Sequence, residues 1–405
     1  MSTLNKTKRT NMSTATDRTK RDLERNHAKN QTATSRLSRR TYLLRSLIIC
    51  LTMAGLCLVR YPRFIEKNTH TGGDIEVKID HIVTLPLRPK RTRIQGLDHF
   101  YMLPPTNTTS DGKPKGLLLH LHSCKESGFE FFTLPEHRIV AYDAIQKGLA
   151  VLSPTSYDRQ SGCYTSEDAN GLLKKVVGQF VRRNRLQSLP IVGLGHSSGG
   201  TFLSFLRKTL ELQSMAVYNS PEDYGDMQSK NDTLIPTVYL SMSMDESISN
   251  RMNANMKRLQ DKNITSYLYR VSPKPFTQKL CAARLPESNN GFCKHMSTTI
   301  GKDLLDADGY VLEGDVASKQ WQRFFEGLEL TEEGFCPIDE TDSLMYYGNK
   351  KSSSWAKECS MRVVLEQEIK ACFGYHAMTA QYHDEILNFL ISNSKMKENP
   401  PPSRD

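Results

Sequence analysis

Short apolar runs alternate with segments of helical spacing along most of the chain after residue 75. The runs at residues 117–121 and 149–152 have the length of a strand and contain no Asp, Glu, Lys or Arg. Residues 138–147 and 172–181 carry apolar side chains at the 3.6-residue period of a helix. Apolar strands separated by helices predict an α/β domain with a mostly parallel sheet and helices on both faces. The other predicted strands are residues 189–194, 215–219, 237–242 and 266–271.

Residues 276–371 interrupt this alternation, because they contain no strand run. Their pattern predicts short helices joined by polar segments, that is, a helical insertion in the α/β domain. The interval carries more large apolar residues than a solvated loop needs, so we expect it to form a lid over a pocket or to pack onto the core. An amphipathic helix is predicted over residues 382–390. The apolar residues of the insertion include Phe292, Leu304, Leu305, Trp321, Phe324 and Phe325.

The N-terminal part of the chain differs from the rest. Residues 1–41 are rich in Ser, Thr, Asn, Lys and Arg and poor in large apolar residues, so we expect a disordered tail. Residues 42–60 hold a largely uncharged apolar run and predict a single transmembrane signal anchor. An organellar transit peptide and a buried core helix are the alternatives. Residues 61–94 are predicted as a stalk with the first strands, and residues 393–405 as a disordered C-terminal tail.

The formal net charge of +10 resides in the first 60 residues, which contain 13 Lys and Arg and 3 Asp and Glu. The remaining 345 residues contain 41 residues of each sign. A body without net charge argues against nucleic-acid binding. Basic residues ahead of an apolar span favour a cytosolic N-terminus and a lumenal body, in the endoplasmic reticulum or Golgi. Import into an organelle is the alternative. Glycosylation sequons at Asn107, Asn231 and Asn263 fit the lumenal orientation.

The chain has nine cysteines, of which Cys50 and Cys57 lie in the apolar run. Seven lie in the body, and an odd number leaves at least one of them unpaired. Cys281 and Cys293 are close enough in sequence to close a short loop in an oxidising lumen, but the sequence does not define the pairing. No C-x-x-C pair and no histidine cluster with metal-ligand spacing occurs, so the sequence predicts neither a metal nor another cofactor.

The stretch GLGHSSGGTF joins a predicted strand to a predicted helix and contains a G-x-S-x-G motif from Gly195 to Gly199. A serine can be held in a strained, exposed turn at such a corner if its neighbours two before and two after are nearly free of side chains. Ser197 has glycine at both places, whereas Ser198 has His196 two residues before it. Ser197 is therefore the candidate nucleophile. A tight turn that happens to contain serine is the alternative.

A serine nucleophile needs a base and a carboxylate that orients the base. Asp245 follows the predicted strand at 237–242, and His376 precedes the last predicted helix. Residues at the carboxyl ends of parallel strands lie at one edge of a sheet, so the three side chains can converge there. Taken alone, Asp245 could cap a helix and His376 could be a capping or core histidine. Their order along the chain, Ser then Asp then His, is the one expected of a nucleophile elbow.

These motifs resemble those of the α/β-hydrolase superfamily over residues 95–275 and 370–392. GHSSGG is similar to the family's elbow, IPTVYLSMSMD to its strand that ends in the acid, and GYHAMTAQYHDEILNFL to its histidine turn and closing helix. The resemblance implies an α/β-hydrolase fold for residues 95–392, with the helical insertion before the catalytic histidine. It favours His376 over His383 as the base.

The resemblance also implies a role for each site residue. Ser197 would attack an acyl carbonyl, His376 would take and return the proton, and Asp245 would orient the imidazole. LLLHLHSC resembles the loop that supplies half of the family's oxyanion hole. On that match, the backbone N–H groups of Cys124 and Ser198 would bind the oxyanion.

The implied function is that of a membrane-tethered serine hydrolase acting on a small acyl substrate without a cofactor. A carboxylic ester is favoured over a peptide, because peptidases of this fold usually carry a large extra domain. A serine peptidase is one alternative, and a catalytically silent binding module on a membrane tether is another. Ser123 stands where the family usually has glycine, so a distorted oxyanion loop would favour the silent module.

Overall fold

A computed structural model describes residues 87–108, 112–165, 168–220, 233–284, 293–294, 304–314, 318–327 and 361–394. All of these residues belong to one unit, Val77–Asp405. The predicted tail at 1–41 and the predicted anchor at 42–60 lie outside the described residues. Within the described ranges, no helix is both long enough and apolar enough to cross a membrane. The signal anchor therefore stays a prediction.

One sheet contains the eight strands found in the described residues. They are β1 (Lys90–Ile94), β2 (Leu97–Met102), β3 (Gly116–Leu121), β4 (Leu149–Ser153), β5 (Ile191–His196), β6 (Met215–Tyr218), β7 (Thr237–Met242) and β8 (Ser266–Val271). Their order across the sheet is β1-β2-β4-β3-β5-β6-β7-β8. β2 is antiparallel to both β1 and β4, and all other neighbouring strands are parallel. The predicted mostly parallel sheet is confirmed.

Helices cover both faces of the sheet, as the apolar strands require. The helices of the described residues include α1 (Glu130–Thr133), α2 (Pro135–Gln146), α3 (Leu173–Arg183), α4 (Ser198–Thr209), α5 (Glu246–Gln260), α6 (Gln278–Arg284), α7 (Lys319–Gly327), α8 (Met361–Phe373) and α9 (His383–Ser392). Because successive side chains of a strand point to opposite faces, Leu118 packs with α2 and α9, whereas Leu117 and Leu119 pack with α3, α4 and α5. The central strands are consequently buried on both sides.

The described part of the insertion contains helices and, between Leu305 and Val311, one isolated antiparallel bridge. The Trp321 side chain is fully buried, and its indole N–H donates to the carbonyl oxygen of Glu313 at 2.6 Å. Trp321 belongs to an apolar cluster that also includes Leu134, which directly precedes α2. Leu304, Leu305, Trp321, Phe324 and Phe325 are buried in this cluster, whereas Phe292 lies outside the described residues. A lid function stays a prediction.

The strand order and the position of the serine define the fold. Ser197 follows β5 directly and precedes α4, at the centre of a sheet whose second strand is antiparallel. Asp245 follows β7, and His376 lies between α8 and α9. This arrangement is an α/β-hydrolase fold, and the predicted fold class is confirmed.

Candidate active site

Ser197 occupies a strained turn between β5 and α4. Its backbone has φ 52° and ψ −117°, a region that residues with a side chain rarely adopt. A side chain at Gly195 would overlap the backbone of Gly199, and one at Gly199 would overlap the carbonyl of Leu121 at the end of β3. The Ser197 N–H donates to the carbonyl oxygen of Tyr218 at 2.9 Å. Both glycines are thus required by close contacts, as the motif predicts.

The structure brings Ser197, His376 and Asp245 into a continuous hydrogen-bonded series. Ser197 Oγ lies 2.8 Å from His376 Nε2, and His376 Nδ1 lies 3.0 Å from Asp245 Oδ2. Asp245 Oδ1 also accepts a bond from the Ile248 N–H at 3.4 Å, so the residue caps α5 as well as facing the imidazole. His383 is not brought to the serine, and its Nδ1 instead lies 2.6 Å from the Ala380 carbonyl oxygen.

Asn219 joins the segments that carry the acid and the histidine. It follows β6, is fully buried, and donates from Nδ2 to the Ala377 carbonyl oxygen at 2.6 Å. Its Oδ1 accepts a bond from the Met242 N–H at 2.9 Å. Ala377 follows His376 directly, and Met242 ends the strand before Asp245. One amide side chain therefore holds the segments that carry Asp245 and His376. In the sequence, the position of Asn219 directly after a predicted strand is the feature that could have identified it.

A buried ion cluster holds the segment after His376. Glu136 on α2 accepts a hydrogen bond from the Ala380 N–H at 2.6 Å and pairs with Arg284 at 2.5 Å and with Lys274 at 3.6 Å. Burial alone would raise the pKa of Glu136, but the charges of Arg284 and Lys274 lower it well below its usual value. Glu136 is therefore ionised at neutral pH. No local sequence pattern marks this helix residue as a support of the site.

Backbone bonds fix the loop after β3. The Ser123 N–H donates to Glu126 Oε2 at 3.0 Å, and the Lys125 N–H donates to the Ser161 carbonyl oxygen at 2.9 Å. Between them, the Cys124 N–H has no hydrogen-bond acceptor among the described residues. A backbone donor left without an internal acceptor is available to an anion.

A disulfide between Cys124 and Cys163 ties this loop to the segment after β4. This pair was not predicted from the sequence. The pair between Cys281 and Cys293, which their short spacing allowed, is present. Cys372 is free and buried, which agrees with the odd count in the body. Cys336 and Cys359 lie outside the described residues.

Ser198 opens α4, so its N–H has no acceptor within the helix. Its Oγ is buried without a partner in the described part of the chain. The close contact of Gly199 with Leu121 brings the first turn of α4 against the end of β3, from which the Cys124 loop leaves. The arrangement therefore contains a hydroxyl, an imidazole, a carboxylate and two backbone N–H groups without internal acceptors.

No protein-family model matches this chain, and no curated protein matches it. Similar solved structures include an α/β serine hydrolase without a lid from Xanthomonas campestris, at 15% identity and a TM-score of 0.33, over 52% of this chain and 94% of that one. A carboxylesterase from Mesorhizobium loti is 11% identical, with a TM-score of 0.34, over 52% of this chain and 99% of that one. The Bacillus cereus carboxylesterase is 17% identical, with a TM-score of 0.32, over 42% of this chain and 83% of that one. Because these TM-scores are low, the fold assignment depends on the strand order and the turn at Ser197.

Proposed function

We propose that this protein is a serine hydrolase that cleaves a carboxylic ester. The observation that carries the proposal is the relay from Ser197 Oγ through the His376 imidazole to Asp245, with distances of 2.8 Å and 3.0 Å. The strained backbone of Ser197 supports it, since strain at a turn is typical of a nucleophile held clear of its neighbours.

In the proposed reaction, Ser197 Oγ attacks the acyl carbonyl while His376 Nε2 accepts the hydroxyl proton. The tetrahedral oxyanion is bound by the N–H groups of Cys124 and Ser198. His376 then gives the proton to the leaving alcohol, and the acyl group stays on Ser197. Water attacks the acyl-enzyme with His376 as base, which releases the acid and restores the serine. Asp245 holds the imidazole in the required tautomer and stabilises its charged form.

The surroundings of the relay favour an apolar acyl group. Met244 directly precedes Asp245, and Tyr375 directly precedes His376. Both side chains are large and mostly apolar, yet they are 47% and 43% exposed. The Met244 N–H donates to the Gly374 carbonyl oxygen at 3.0 Å, so the two residues lie on bonded neighbouring segments. Exposed apolar side chains beside a polar relay are suited to the hydrocarbon part of an ester.

The ester assignment is tested with the purified full chain and two substrates that share one acyl group, a p-nitrophenyl ester and a p-nitroanilide. We expect turnover of the ester and none of the amide, with the ester activity lost on Asp245→Asn because the imidazole loses its orientation. Cleavage of the amide at a comparable rate would indicate a peptidase. A folded protein that cleaves neither substrate would indicate a silent binding module.

Loss of the disulfide at the proposed oxyanion loop is expected to slow ester hydrolysis. The double change Cys124→Ser and Cys163→Ser keeps the backbone N–H but removes the tether, so we expect kcat to fall by about tenfold or more with KM changed little. Ester kinetics measure this. The matched control is Cys281→Ser with Cys293→Ser, which removes the disulfide of the insertion. Equal losses of kcat in the two double variants would contradict a role of Cys124 in binding the oxyanion.

We further propose that the body lies in an oxidising lumen behind a membrane anchor at 42–60. Two disulfides in the described residues support an oxidising compartment. The sequon residues Asn107 and Asn263 are exposed, as glycosylation requires, and Asn231 lies outside the described residues.

A further inference from the structure

Three ligand-type side chains converge behind the relay. Glu126 comes from the loop after β3, His137 from α2, and His196 from the end of β5. One nitrogen or oxygen atom of each lies within 4.8 Å of those of the other two. His137 Nε2 is 3.8 Å from Glu126 Oε2, and the ring centroid of His196 is 5.9 Å from that of His376. The group is therefore adjacent to the proposed active site but separate from it.

The two histidines of this group are buried and have ring nitrogens that lack hydrogen-bond partners among the described residues. His137 and His196 are each 2% exposed. His137 Nε2 and both ring nitrogens of His196 have no hydrogen-bond partner within the described part of the structure. Buried polar atoms without partners are rare in native proteins, because their desolvation is not offset. A ligand between these side chains can contact one nitrogen of each ring and thereby offset part of that desolvation.

The protonation states suit a cation. Burial lowers the pKa of His137 to about 4 and that of His196 well below its usual value, so both rings are neutral and their nitrogens can donate lone pairs. Burial raises the pKa of Glu126 to about 7, and the Ser123 N–H and the charge of Lys370 oppose that rise only in part. A metal ion would add positive charge beside the carboxylate.

The donor set also narrows the class of metal. Two imidazoles and one carboxylate form a ligand set that zinc uses, whereas magnesium and calcium prefer oxygen ligands. Donor atoms around a tetrahedral zinc lie roughly 3.4 Å apart, given bonds of about 2.0 Å. The donors here are within 4.8 Å, so side-chain movements of about 1 Å would close the site.

We propose that Glu126, His137 and His196 bind a divalent transition metal, zinc by preference, that fastens the loop after β3 to the strand before Ser197. Glu126 Oε2 accepts the Ser123 N–H at 3.0 Å, and His196 precedes Ser197 directly, so the ion bridges the two segments that carry the proposed oxyanion donors. The ion positions these segments and takes no part in the ester chemistry. Binding of the ion does not depend on the proposed function, since its ligands are not Ser197, His376 or Asp245, whereas its positioning role rests on that function.

The test is calorimetric titration of the purified, chelator-treated full chain with zinc sulfate. We expect one equivalent of zinc to bind, the melting temperature to rise with zinc, and anomalous scattering at the zinc edge to lie between the three side chains. His137→Gln and Glu126→Gln should each weaken binding by about 100-fold or more, because each removes a ligand. His383→Gln, which changes a histidine outside the group, should bind zinc as the wild type does.

Zinc could also bind at the relay, so the titration is repeated with His376→Ala, which should keep the full equivalent. Circular dichroism establishes that each variant is folded, and Glu126→Gln preserves shape if His137→Gln does not fold. Failure of the wild type to bind zinc, unchanged binding by a folded Glu126→Gln, or loss of binding in His376→Ala would each overturn the proposal. These outcomes do not depend on ester hydrolysis, which can fail or succeed separately.

Discussion

Replacement of Ser197 by alanine is expected to lower kcat for the p-nitrophenyl ester by about 10⁴-fold or more, with KM changed little. The change removes the oxygen that would form the acyl-enzyme, and only the oxyanion donors and binding contacts would remain to accelerate the reaction. Steady-state kinetics on purified protein measure it. His376→Ala should lower kcat by a similar factor. The double variant should lower kcat no further than either single variant, because nucleophile and base act as one unit.

The control for this experiment is Ser198→Ala, since the two serines are neighbours in the same turn. The Ser198 hydroxyl makes no hydrogen bond within the described residues, and the change leaves its backbone N–H in place. We expect this variant to retain the larger part of the ester activity. Equal losses in the Ser197 and Ser198 variants would mean that the turn as a whole, and not one hydroxyl, is needed.

Replacement of Glu136 by alanine is expected to lower the free energy of unfolding by about 3–5 kcal/mol. The change leaves Arg284 buried with reduced compensation and removes the acceptor of the Ala380 N–H. The pKa of Glu136 is below its usual value in the folded protein, so its contribution is fully present above about pH 4.5 and is lost as the pH falls through the folded pKa. Urea denaturation at pH 7 measures the loss.

The matched control is Asp384→Ala. Its carboxylate also pairs with a lysine, Lys147 at 2.6 Å, but its side chain is 57% exposed. Exposed pairs contribute less than about 1 kcal/mol, so we expect little change in stability. Glu136→Ala should in addition lower kcat, because the segment after His376 loses its attachment to α2. If Glu136→Ala and Asp384→Ala change stability and kcat equally little, the buried cluster does not hold the segment after His376.

The parts of this fold that the sequence predicted depend on local chemistry. Apolar strands could be located because each is buried on both faces, and the turn at Ser197 could be located because Gly195 and Gly199 are required by contacts within a few residues. Asp245 and His376 were found from their places after a strand and before a helix. These signals are contained in short stretches of chain, so they survive without knowledge of the tertiary structure.

The features that the sequence did not predict depend on distant residues meeting in space. Cys163 pairs with Cys124 across 39 residues, and neither spacing nor parity singles out that pair. Glu136 lies on an ordinary helix and contacts residues far along the chain. The group of Glu126, His137 and His196 shows no metal-ligand spacing because each member comes from a different element.

Covalent labelling tests most directly whether Ser197 is a nucleophile activated by His376. The purified full chain is treated with a fluorophosphonate probe, and the modified peptide is sequenced by mass spectrometry. We predict one adduct, on Ser197, that is absent from Ser197→Ala, lost on heat denaturation and retained in Ser198→Ala. Labelling of Ser197→Ala at the wild-type level would contradict the account.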